Sequence, residues 1–317
     1  MTLARPDPAL CRLAGTLLLC LVAWSPVQAQ TDPWETATQA GVEAFGKGAL
    51  AEAEGHFGQA LELSESFADD DPRKAVGNSN MGVLAYELGA FAEAEKFHGL
   101  ALEQRLKLYG GIHPAVAESL SLMGLAIREQ SRFAEAAVAF SDALAITRTL
   151  SKPDDPEIAI GHFRLAGALM MLGRLAEAEP HYRDSLALRR HTRPGADAET
   201  ANSIHMLGWV LREQGKLEEA EALFREAIAM REELFGPDHP GIASGYNNLA
   251  KIRQAQGRHD ESETLFRQAL ARAEKALGPD DPDLAQVLQD YAALLDAMGR
   301  KTEAIELEAR AKAITGG

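Results

Sequence analysis

Cysteine is almost absent from this chain of 317 residues: only Cys11 and Cys20 occur, both near its start. The rest has no thiol, which excludes a disulfide, a thiolate nucleophile and a cysteine-ligated zinc there. Basic residues are also scarce, with 32 Lys and Arg against 47 Asp and Glu, a net charge of −15. Such a surface repels phosphate backbones, so nucleic acid is not an expected partner. Long apolar runs are missing apart from "LAGTLLLCLVAW" (13–24), which is short for a bilayer span. No HExxH, GxSxG, glycine-rich phosphate loop or GxGxxG pattern occurs, and the histidines do not fall at ligand spacing. No catalytic residues, no metal and no cofactor are expected, and the chain does not read as an enzyme.

The apolar run has its own logic. Arg5 and Arg12 precede it and "SPVQAQ" follows. A basic start, a short apolar core and a small residue at Ala29 read as a signal peptide over residues 1–29, cut between Ala29 and Gln30. Leu19 is bulky where a lipoprotein signal carries a small residue before its cysteine. Cleavage would remove both cysteines and leave a net charge of −16. The expected location is outside the cytoplasm: periplasmic in a Gram-negative bacterium, otherwise secreted, with no stable membrane span. Residues 30–33 form a short linker.

What is abundant is self-similarity. A step of 42 residues links Gly89, Ser131, Gly173, Gly215, Gly257 and Gly299. Pro72, Pro114, Pro156, Ala198, Pro240 and Pro282 follow the same step, preceded by Asp71, His113, Asp155, Asp197, His239 and Asp281. Each position has a job. The glycine closes one helix in a left-handed conformation. Asp or His caps the next helix, and Pro is the favoured first helical residue. Small residues at Gly82, Gly124, Ala166, Gly208, Ala250 and Ala292, and at Ala53, Ala94, Ala136, Ala178, Ala220, Ser262 and Ala304, let paired helices approach. His239 in "FGPDHPGI" is therefore read as a helix start rather than a metal ligand.

The unit resembles the tetratricopeptide repeat, in the 42-residue variety of kinesin light chains. Its fifth copy shows the family's Leu207-Gly208, Ala220, Phe224 and Ala227 in order. The resemblance implies an all-α fold: a right-handed α-α superhelical solenoid of about seven repeats over residues 34–317. The approximate units are 34–74, 75–116, 117–158, 159–200, 201–242, 243–284 and 285–317. It also implies a non-catalytic scaffold that binds a peptide or partner protein in a concave groove lined by each unit's first helix. The alternative is a structural subunit or assembly factor of a cell-envelope complex, acting through its convex face or ends.

Carried over position by position, the groove residues are Tyr86, Arg128, Phe163, Arg164, Asn202, His205, Trp209, Arg212, Asn247, Asn248 and Lys251. Trp209, Phe163 and Met170 supply apolar surface. Arg128, Arg164, Arg212 and Lys251 supply positive charge in an acidic chain, which points to a ligand with acidic and apolar groups. Asn247 and Asn248 match asparagines that hold a ligand's backbone in the family; serving the helix's own solubility is the other reading of them.

Overall fold

A computed structural model describes residues 32–316; the signal-peptide reading, including the cut between Ala29 and Gln30, lies outside the described residues. Among the described residues there are fourteen helices and no strand. They fall into two compact units, one ending at Arg174 and one beginning at Leu175. The first holds α1 (Pro33–Gly46), α2 (Leu50–Glu65), α3 (Pro72–Glu87), α4 (Phe91–Tyr109), α5 (Pro114–Glu129), α6 (Phe133–Leu150) and α7 (Pro156–Met171). The second holds α8 (Leu175–Thr192), α9 (Ala198–Glu213), α10 (Leu217–Phe235), α11 (Pro240–Ala255), α12 (His259–Leu277), α13 (Leu284–Ala297) and α14 (Lys301–Thr315). Within each unit consecutive helices pack as antiparallel neighbours, the α-α repeat fold the pattern predicts.

The punctuation works as the repeat implies. Carboxylates of Asp71, Asp155 and Asp197 accept from backbone amides two or three residues on, and Pro72 and Pro156 open their helices. His113 and His239 cap in the same way, their Nδ1 atoms accepting from the amides of Ala115 and Gly241 at 3.2 and 3.1 Å. Their rings stack on Tyr109 and Phe235. The seventh copy departs slightly: Asp281 caps the amide of Asp283 at 2.8 Å, and the regular helix begins only at Leu284. At the helix ends the glycine register holds positive φ, from Gly89 at 76° to Gly299 at 79°, and Ser131 is forced to 62°. It is the only non-glycine among the described residues with positive φ.

The core repeats too. Ala53, Ala94, Ala136, Ala178, Ala220 and Ser262 are fully buried. Ser262 repays its hydroxyl by donating to the Ala250 carbonyl at 2.8 Å. The aromatic of the second helix packs on the small residue of the first: a Cβ on Gly41 would stand 2.5 Å from the Phe57 ring, and one on Gly208 would stand 3.1 Å from Phe224. In the second copy the ring is His98, as close to Gly82 and 1% exposed. At the C-terminal end Glu308, where earlier copies carry Phe, is exposed, as a capping helix requires.

Candidate functional site

The residues singled out by register sit on first helices, and each compact unit presents its own set. In residues 175–316 the relevant helices are α9, α11 and α13, adjacent to one another in order. A chain of polar contacts runs across α9, α10 and α11. Arg212 donates to the amide oxygen of Asn248 and to the carboxylate of Glu213. Asn248 Nδ2 donates to the Ser244 carbonyl at 2.9 Å, and the Ser244 hydroxyl lies 3.4 Å from His205 Nε2. His205 Nδ1 is 3.3 Å from Arg231, which donates to Asn202 Oδ1 at 3.0 Å and to the Gly241 carbonyl at 2.9 Å.

A second cluster gathers on Asp290. Asn247 Nδ2 donates to it at 2.8 Å, Lys251 Nζ at 3.1 Å and Gln286 at 3.0 Å. Asn247 Oδ1 is buried and accepts no hydrogen bond. Trp209 on α9 is half-buried, with the Arg212 guanidinium 5.7 Å from its ring centre. Elsewhere on α9, Ile204, Leu207, Val210 and Leu211 are all buried.

In residues 32–174 the set is smaller. Tyr86 on α3 donates to Glu129 at 3.4 Å, and Arg128 binds the same carboxylate at 2.6 and 3.0 Å. Tyr86 also meets Phe91 edge-on, 5.4 Å between centres. Phe163 and Arg164 lie half-buried on α7.

The placement modifies the sequence expectation at two points. His205 is buried and packs edge-on against Phe224, with ring centres 5.3 Å apart, rather than lining an open surface. Burial, then the charges of Arg231 and Arg212, hold its pKa well below the ordinary histidine range, so it is neutral. Arg128, Arg212 and Lys251 each carry a carboxylate partner in place: Glu129, Glu213 and Asp290. Asn247 and Asn248 are both buried, and each already donates to a protein acceptor.

The sequence reading passed over one set. Arg105, Arg189 and Arg231 recur in step on second helices and are buried. Arg105 donates to the Ala115 carbonyl at 2.9 Å and to Ser119 at 2.8 Å, and Arg231 reaches the equivalent Gly241 carbonyl. These guanidiniums tie one copy to the next. Their recurrence was visible in the sequence; their burial was not, because arginine usually lies on the surface.

Comparison with known proteins agrees with this architecture. A family model described as the MalT-like TPR region matches residues 112–310, and one described as the tetratricopeptide repeat matches residues 74–149. Compared with curated proteins, the chain has no match. Among solved structures, the nearly identical TPR-like repeats of a Podosopora anserina kinesin light chain superpose with a TM-score of 0.53. That match has 23% identity over 64% of this chain and 96% of the other. The apo form of RapI gives a TM-score of 0.66 at 14% identity, over 90% of this chain and 99% of its own. A Rap protein complexed with competence and sporulation factor gives 0.55 at 16% identity, over 90% and 75%.

Proposed function

This chain belongs to the tetratricopeptide-repeat family, and on that premise we propose that it is a non-catalytic, exported scaffold that holds a segment of a partner protein along its first helices. The observation that carries the reading is Trp209. It is half-buried on a helix where Ile204, Leu207, Val210 and Leu211 are all buried, and partly exposed indoles are common anchors at protein interfaces. Lys251 and Asp290 lie one and two first helices further on, and supply polar contacts for the same segment. A relative of the same fold, the Rap protein, was solved complexed with competence and sporulation factor, which supports a ligand-holding role for the architecture.

The paired cations shape the ligand's chemistry. An acidic group on the partner would exchange with Glu213 or Asp290 rather than meet a bare charge, so apolar contact carries more of the affinity than net charge suggests. Export rests on the basic start, apolar run and Ala29 of the sequence.

Two measurements test the proposal. Chain recovered from outside the cytoplasm should have the intact mass of residues 30–317; a species retaining residues 1–29 ends the export reading. A partner captured by the chain should bind Trp209→Ala roughly 30-fold more weakly, about 2 kcal/mol, with helicity unchanged. Equal affinity for both forms rules out the first-helix face.

A further inference from the structure

Where α4, α5 and α6 meet there is an open apolar notch of about 400 Å³, walled by Leu102, Leu106, Val116, Leu120 and Ile146, with Asp142 at its rim. It lies mainly between second helices and is separate from the first-helix residues described above. Three repeats further along the chain, the equivalent place between α10, α11 and α12 is closed from within. Tyr246 stands where Leu120 does, Arg272 where Ile146 does, and Pro237 where Gly111 does. The Arg272 guanidinium lies 4.7 Å from the Tyr246 ring centre, and its Nη1 donates to the Pro237 carbonyl at 3.1 Å. A ring with a cation stacked on it is therefore one filling that this register accepts; the second copy uses an Asn78–Gln104 hydrogen bond there, and the seventh an apolar Leu288–Ile314 pair.

The notch lacks both parts of that filling. Leu120 and Ile146 are too short to close it, and no cation enters. Its rim carries instead an exposed carboxylate, Asp142, which has no ion-pair partner among the described residues. The corresponding residue of the closed junction is the neutral Gln268. Apolar surface continues outward through Leu106, 44% exposed, and Ile112, 62% exposed.

We infer that this notch receives a peptide segment of a partner protein bearing an aromatic side chain with Arg or Lys a few residues away. The ring fills the space between Leu120 and Ile146, and the cation pairs with Asp142. The partner thereby supplies in trans what Tyr246 and Arg272 supply within the chain.

The test uses a random displayed-peptide library selected on the intact chain, with affinities of synthesised winners measured by fluorescence anisotropy. Winners should pair Phe, Tyr or Trp with a nearby Arg or Lys. They should bind the double variant Leu120→Tyr with Ile146→Arg, which copies the internal filling, about a hundredfold more weakly. Asp142→Asn, at an exposed position that cannot upset folding, should cost about tenfold. Trp209→Ala should leave these peptides bound, which separates the notch from the first-helix face. A library yielding no such pairing overturns the inference, as do winners indifferent to both the double variant and Asp142→Asn. Self-association of the wild-type chain that the double variant abolishes would make a second copy the occupant, and also overturns it.

Discussion

Three features of one register set the second and third repeats apart from the fifth and sixth. His98 stands against Phe224, Ser131 against Gly257, and the Leu120–Ile146 pair against Tyr246 and Arg272. In the later pair of repeats each position is resolved: a phenyl ring on Gly208, a glycine at positive φ, and a ring–guanidinium stack. In the earlier pair each is left short: a buried imidazole with neither nitrogen bonded, a serine held at φ 62°, and an open notch. A repeat dictates where each interaction must fall and tolerates different solutions there. Because cohesion is a sum of neighbour terms, a poor solution weakens its own copy without unfolding distant ones.

Exchanging residues between the two regions tests this directly. The largest effect should come from His98→Phe, since Phe57 already fits against a glycine at the same spacing. Removing two unbonded buried nitrogens should stabilise the second and third repeats by about 2 kcal/mol at neutral pH, read as slower amide exchange in α3 to α5. Faster or unchanged exchange there would mean that the imidazole has partners.

The same pair separates further in acid. Burial, then the neighbouring Arg105 charge, lowers the His98 pKa from 6.5 to about 4. A histidine whose folded pKa is depressed leaves the unfolded chain as the better proton acceptor. Its full contribution is present above pH 6.5 and is lost as pH falls from 6.5 to about 4. The gap between wild type and His98→Phe should therefore widen by about 3 kcal/mol over that window. A constant gap in the pH dependence of exchange would contradict it.

Next comes the reverse operation, opening the closed junction. Arg272→Ala removes a stacked cation and a hydrogen bond to Pro237, costing about 1 kcal/mol, localised to α10 to α12. Amides of α3 to α5 should not change. The smallest effect is Ser131→Gly: relief of the left-handed strain is partly offset by a more flexible unfolded chain. A gain of about 0.5 kcal/mol, seen as a slightly raised denaturant midpoint for the third repeat, is expected.

Much of the fold was legible because its punctuation is local. Capping by Asp71 or His239 and the turn at Gly215 depend on residues within a few positions of each other, and a 42-residue step makes them stand out. The site was less legible. Successive residues on a helix point about 100° apart, so register alone could not decide whether His205 lines an open face or turns under Phe224. Pairing was hidden as well, because Lys251 meets Asp290 on the following first helix, 39 positions on. The notch was invisible in the sequence: it consists of atoms that Leu120 and Ile146 do not have.

The two histidine caps have a spectroscopic consequence. Each ring accepts a backbone amide at Nδ1, so its lone pair is committed there and the ring proton must sit on Nε2. Both imidazoles are thus locked into one tautomer while stacked on Tyr109 and Phe235, which should give their ring nitrogens closely matching resonances, a signature of two caps built alike on different copies of the repeat.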